Sequence, residues 1–256
     1  MKYLLMLFLL ISGNCFAGTD YTQDASTLSA YLFSEGTGTT TDNAEGTASR
    51  DGTFKGTGEP AWDATLPSGY TGTYSVDFDG SDDYINCSNT TFTNSSTSIS
   101  ITAWIYLGSK EGKQTIVNNG DSDQIWFVFD KSGNDKLNVY LGRSSSKGYH
   151  NSNTTVGRGA WHHVAITYNA STLTFYLDGS ADGTASTTQT ANFNATSRPS
   201  QIGNDHDTHS PFDGLIAEVG IFERALTSTE INNIMDDGLD GTQGGVVTFI
   251  PYIIIY

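Results

Sequence analysis

Positive charge is scarce in this chain. Of its 256 residues only 12 are Lys or Arg, against 28 Asp and Glu, which leaves a net charge of −16. Nucleic-acid backbones are held by clustered Lys and Arg, so this balance argues against a nucleic-acid partner. It equally disfavours an anionic membrane surface. Charge of either sign is thin, at 16% of residues, while Gly, Ser, Thr, Asn and Asp crowd every region. That profile leaves little room for long helices and suits many short strands joined by polar turns.

Cysteine is nearly absent as well. Cys15 falls in a leader-like segment, so the processed chain keeps only Cys87 and forms no internal disulfide. Cys87, in "DDYINCSN", reads as a half-buried strand residue. A reactive thiol wants basic neighbours, and Asp82 and Asp83 are the opposite.

Long apolar runs are missing too. A membrane-spanning helix needs about 20 apolar residues, and "LLMLFLLI" (4–11) falls short. With Lys2 before it and "CFA" after it, this run has the form of an export signal over 1–17. Cleavage after Ala17 is preferred to lipid attachment at Cys15, because Asn14 fits a lipoprotein signal poorly. The expected location is secreted, extracellular or at the cell surface, with no membrane span in the mature chain.

Hydrolytic signatures are also lacking. There is no Gly-x-Ser-x-Gly elbow and no His-Glu-x-x-His helix. Glu218 and Glu223 in "EVGIFER" are five positions apart and fall on opposite faces of a strand. They cannot form the carboxylate pair, about 5 Å apart, of a retaining glycosidase.

What is present is regular alternation. "SISITAWIYLG" (98–108) places Ile99, Ile101, Ala103 and Ile105 on one face. "QIWFVFDKSGNDKLNVYLG" (124–142) predicts a hairpin about Ser132, Gly133 and Asn134, and "WHHVAITYNASTLTFYLDG" (161–179) another, turning at Asn169 to Ser171. "YSVDFDG" (74–80) and "GLIAEVGIF" (214–222) are further strands. "TSTEINNIM" (227–235) is the one convincing helix, its Thr227 and Glu230 spaced as a capping box. The fold class expected is all-β, a two-sheet antiparallel sandwich with one short C-terminal helix. In strand geometry His162 and His163 point to opposite faces, so they cannot chelate one ion.

The ordered segments "FDGSDDY", "AWIY", "WHHVAITY", "YLDG" and "FDGLIAEVGIFERALTSTEI" resemble the laminin-G-like, concanavalin-A-like jelly-roll family over roughly Tyr31 to Met235. The resemblance implies two curved antiparallel sheets in a jelly roll (18–240). It also implies a mostly non-catalytic module that binds carbohydrate or protein, often with a structural calcium ion, and it marks the Trp161 and His163 pair as framework. Laminarinase-like enzymes that share the fold carry a Glu-x-Asp-x-x-Glu type strand, which this sequence does not have.

Calcium has two candidate places. The resemblance implies Glu35 and Asp42 together with a last-strand Asp, but Ala217 stands at that last position. The other is "NDHDTHSPFDG", where Asp205, Asp207, His209 and Asp213 offer hard oxygen and imidazole ligands. Glycan sites combine aromatic platforms with Asp, Asn and backbone donors. Of Trp62, Tyr70, Trp126, Tyr140, Tyr149, Tyr176 and Phe212, the favoured platforms are Trp126 and Tyr149, flanked by Asp121, Asp123 and Asn151. Trp104 and Trp161 are expected in the core.

The last stretch, 241–256, ends "VVTFIPYIIIY" without a charge. It reads as a strand folding back on its own sandwich, or as an element for self-association through 246–256, or as the edge of a longer protein. The leading function is an exported, non-catalytic lectin-like or adhesion module for an extracellular glycan or glycoprotein. A structural assembly subunit comes second, and an atypical glycoside-active enzyme third.

Overall fold

The computed structural model describes residues 18–70, 72–87, 97–119, 125–129, 133–141, 148–186, 199–206 and 209–242. Residues 1–17, where an export signal is expected, the segment 243–256, Asp121, Asp123 and Asp207 lie outside the described residues.

In chain order the strands are β1 (Thr27–Tyr31), β2 (Thr40–Thr41), β3 (Gly52–Lys55), β4 (Ala61–Asp63), β5 (Ser75–Asp79) and β6 (Tyr84–Asn86). Next come β7 (Ser98–Leu107), β8 (Gln114–Asn119), β9 (Ile125–Phe129), β10 (Lys136–Leu141) and β11 (Gly148–Thr155). The series ends with β12 (Trp161–Asn169), β13 (Thr172–Leu177), β14 (Ser180–Ser186), β15 (Ser200–Ile202) and β16 (Asp213–Phe222), followed by helix α1 (Ser228–Asp237). The first sheet runs β14-β13-β12-β7-β16-β5-β4, with β1 also paired to β16, and the second runs β11-β10-β9-β8-β15-β6-β3-β2. Every pairing is antiparallel, so the two sheets form the expected sandwich, consistent with a jelly roll. Among the described residues no helix is long and apolar enough to cross a membrane.

Alternation builds the core. Ile99, Ile101, Ala103 and Ile105 of β7, Val164, Ile166 and Tyr168 of β12, and Ile216, Val219 and Ile221 of β16 face inward. Phe127 and Phe129 of β9 and Leu137, Val139 and Leu141 of β10 meet them from the second sheet. Each such Val, Leu, Ile or Phe side chain, fully withdrawn from water, contributes roughly 1.5–3 kcal/mol. Cys87 is more deeply placed than expected: it is fully buried in this core, and burial pushes its thiol up to about 12.

A second apolar cluster closes the outer face of the first sheet. Ile231 and Ile234 of α1, with Leu226 and Leu239, pack on Ala30, Ala165, Tyr176 and Phe222. The capping box is present: Thr227 Oγ1 accepts from the Glu230 amide at 3.3 Å, and the Thr227 amide donates to Glu230 Oε2 at 2.7 Å. Arg224 ties this end to the start of the chain, bonding Glu230 and, at 2.6 Å, Asp24.

His162 and His163 diverge as strand geometry requires. Both are tied to Asp178, which meets His162 Nδ1 at 2.9 Å and accepts the His163 amide at 3.0 Å. The His163 ring packs edge-on against Trp104 at 5.2 Å, and neither of its nitrogens has a hydrogen-bond partner among the described residues. It is a framework residue held by packing.

β16 carries a bulge between Ala217 and Val219. At the extra residue, Glu218, φ is 47°, so its side chain turns to the outer side, where Oε1 accepts the Leu239 amide at 2.6 Å. Burial pushes this carboxyl up to about 8, while burial pulls His163 down to about 4. The folded chain therefore holds the Glu218 proton more tightly than the usual value of 4.5. The stability this lends is whole below about pH 4.5 and is lost as the pH climbs through about 8. His163 acts in the opposite direction: its share is present above 6.5 and lost as pH falls through about 4. Glu218→Gln should melt higher than the parent at pH 9 and converge with it near pH 4.5, measured by thermal melts across that range. Parallel profiles would contradict the assignment.

Candidate functional site

With Ile125, Phe127 and Phe129 committed to the core, Trp126 and Val128 stand on the outer face of the second sheet. The same alternation turns Asn138 and Tyr140 outward from β10. Register then lines these residues up. Tyr149 of β11 lies opposite Tyr140, Tyr140 opposite Trp126, and Trp126 opposite Asn118 of β8. The row continues through Gln201 of β15 and Asn86 of β6 to Thr53 of β3. Beside it, Asn151 pairs with Asn138, which lies opposite Val128.

The row is a stepped aromatic floor leading into a polar track. The Tyr140 and Tyr149 rings are 4.8 Å apart and tilted 51°. Tyr149 is 41% exposed, the most accessible large apolar side chain among the described residues. Trp126 is half-buried and pinned in one orientation: its indole N–H donates to Thr115 Oγ1 at 3.0 Å, and the Lys113 ammonium sits 3.8 Å above its ring. Lys113 is itself held by Asp205 at 3.7 Å. Asn138 donates to Asn151 Oδ1 at 2.8 Å, which fixes the amide of each. Buried Gln201 keeps an Oε1 without a partner among the described residues. Rigid ring faces beside oriented amides suit a ligand with one apolar face and a hydroxylated edge.

The structure thus brings together Trp126, Tyr149 and Asn151. Tyr140, Asn138, Asn118 and Gln201 join them, although strand alternation alone did not single them out. Trp104 and Trp161 depart from expectation. Both stand half-buried on the outer face of the first sheet, because their core-facing neighbours are Ala103, Ile105 and Val164.

The carboxylates are dispersed. Glu35 Oε1, in the β1–β2 loop, accepts the amide of Asp42, just past β2, at 2.7 Å. Asp205 is buried and already engaged, accepting from the His209 amide at 2.8 Å and Ser210 Oγ at 2.9 Å besides its pairing with Lys113. Asp213 accepts the Lys110 amide at 2.7 Å, and the Lys110 ammonium donates to the carbonyls of Gly80 and Pro211. A lysine therefore occupies the ground where a metal ion would need room beside Asp213. The residues present do not fit an ion held from the last strand. Ala217 supplies no ligand, and its neighbour Glu218 is turned away and favours its protonated form at neutral pH. Among the described residues, the group of three or more carboxylates that converge within 4.8 Å is Asp79, Asp82 and Asp83. Each also accepts backbone N–H groups of the surrounding turns.

Comparison with known proteins agrees with this architecture. The family described as the concanavalin A-like lectin/glucanases superfamily matches residues 79–232. The chain belongs to this superfamily. No curated protein matches the chain. Among solved structures it is similar to domain 4 of AbnA, an extracellular GH43 arabinanase from Geobacillus stearothermophilus in complex with arabinotriose. That match has 18% identity and a TM-score of 0.62, covering 82% of this chain and 98% of that one. It is also similar to the binding domain of Paraclostridial Mosquitocidal Protein 1, at 11% identity and TM-score 0.63, covering 85% of this chain and 52% of that one. A third match is botulinum neurotoxin type C, whose cell entry depends on interaction with two ganglioside molecules. Identity there is 17% and TM-score 0.60, with 84% and 51% coverage. The chain spans about half the length of the latter two. At these identities the likeness shows the superfamily fold.

The face assignment is testable by itself. Phe127→Ala, on the inner face, should cost about 3–5 kcal/mol in a denaturant melt, and Trp126→Ala, one residue away, less than half of that. Equal losses would contradict the placement.

Proposed function

We propose that this protein is an exported carbohydrate-binding module that holds a neutral glycan on the outer face of the second sheet, without turnover. The observation that carries this reading is the register-aligned row Tyr149–Tyr140–Trp126–Asn118–Gln201. The exposed Tyr149 ring, with Trp126 beside it, takes the C–H face of a sugar, and the exposed Asn151 amide takes the hydroxyls. The row itself contains no carboxylate to act as acid or nucleophile, which supports binding over hydrolysis. A net charge of −16 favours a neutral glycan over an anionic one. The similarity to an arabinanase domain in complex with arabinotriose, and to a neurotoxin that interacts with gangliosides, supports a glycan or glycoprotein partner.

A glycan-array screen of the chain from Gly18, run with calcium and again with chelator, tests the reading. Binding to a class of neutral glycans is expected, and a blank array contradicts the proposal. Loss of binding in chelator would bring in calcium, with the Glu35–Asp42 loop and the Asp79–Asp82–Asp83 turn as the carboxylates to substitute. Trp126→Ala should weaken binding by ~tenfold or more, equivalent to about 1.4 kcal/mol, and an unchanged affinity removes Trp126 from the site.

A further inference from the structure

The opposite side of the molecule carries a second aromatic site. On the outer face of the first sheet, Trp161 lies opposite Tyr106 and His163 opposite Trp104. Trp161 and Trp104 are therefore diagonal neighbours on one face. They floor a cleft of about 430 Å³ whose remaining walls are Pro67 and Ser68, Asp178 and Met235 of α1.

The two indoles are held rigidly. Tyr106 meets Trp161 edge-on at 5.8 Å, and Trp104 is flanked by His163 at 5.2 Å and Tyr70 at 6.4 Å. Their Nε1 donors are nevertheless buried with no partner among the described residues. An unused buried donor is costly, by about 1–3 kcal/mol, and two of them side by side mark a place where the fold alone does not satisfy its polar groups. Asp178 adds a half-exposed carboxylate fixed by His162 and the His163 amide, and Ser68 an exposed hydroxyl at the mouth. The bulged Glu218, at φ 47°, lies on the same side of the sheet.

We infer that this cleft is a second saccharide site, which takes one or two neutral sugar units stacked on Trp104 and Trp161, with Asp178 and Ser68 bonding the hydroxyl edge. The cleft volume lies in the range of sites for small ligands. With a site on each sheet, one chain would bridge two glycan strands, and on a polymeric glycan the second contact would raise avidity. The inference stands on the first sheet alone and does not depend on the face proposed above.

Four tryptophans make the test direct, since the ¹⁵N-labelled chain gives an indole N–H signal for each of Trp62, Trp104, Trp126 and Trp161. These can be assigned by single Trp→Phe changes. Arabinotriose, xylotriose, cellotriose and tetramethylammonium are titrated into the parent, into Trp126→Ala and into Ser68→Arg, which fills the cleft mouth from an exposed turn. The expected result is saturable movement of the Trp104 and Trp161 signals by a trisaccharide in both the parent and Trp126→Ala. In Ser68→Arg the dissociation constant should rise ~tenfold or more, with the thermal melt unchanged. Movement of Trp126 alone would overturn the second site and keep the first. Movement of Trp104 and Trp161 without Trp126 would keep the second site and remove the first. Response to tetramethylammonium and to no sugar would overturn the saccharide assignment in favour of a cation held by ring faces, and silence throughout would remove both sugar sites.

Discussion

The contact between the two sheets governs everything else in this molecule. A strand can turn only every second side chain into that contact. Once Ile101, Ile105, Val164 and Ile166 on one side meet Phe127, Phe129, Val139 and Leu141 on the other, every remaining position has its direction assigned. Trp126 reaches the surface because Phe127 does not, and Tyr140 turns to the same side, buried against Tyr149. Position on the strand decides where the aromatic residues go, and their own preference for burial does not.

The two outward faces then take different courses. On the first sheet, α1 and Leu239 close one half with a second apolar cluster, and the bulge at Glu218 lets a carboxyl share that cover. The other half of that face stays accessible between Trp104 and Trp161. On the second sheet the outer face holds amides and rings already oriented by Thr115, Asn138 and Lys113. Preorganised groups lose less entropy when a ligand arrives, so order within this face suits the binding role proposed for it.

Much of this architecture was legible in the sequence. The β7 alternation, the hairpin turning beyond Asn169, the helix cap at Thr227 and the divergence of His162 from His163 all follow from local periods of two or 3.6. Trp126, Tyr149 and Asn151 were singled out because they stand among polar loop residues in the chain, and pairing places them on one face of the sheet. What could not be read is whatever depends on pairing between distant strands. Asn118, Gln201 and Asn86 meet only because β15, at residues 200–202, inserts between β8 and β6. The bulge had no local signal either, since glutamate is an unfavourable choice at φ 47° and only tertiary contacts hold it there. Trp104 and Trp161 looked like core residues because large aromatics in sandwiches usually are. Their strands, however, spend the inward positions on smaller residues such as Ala103 and Val164.

The central claim is that a neutral glycan lies along the Tyr149–Tyr140–Trp126 row. Hydroxyl-radical footprinting, read residue by residue by mass spectrometry with and without a saturating glycan, measures the accessibility of these side chains. The account predicts that bound glycan suppresses oxidation at Trp126 and Tyr149 while Trp62 and Tyr74, on β4 and the turn before β5, oxidise as before. Unchanged oxidation of Trp126 and Tyr149 in a sample whose binding is measured in parallel would contradict it.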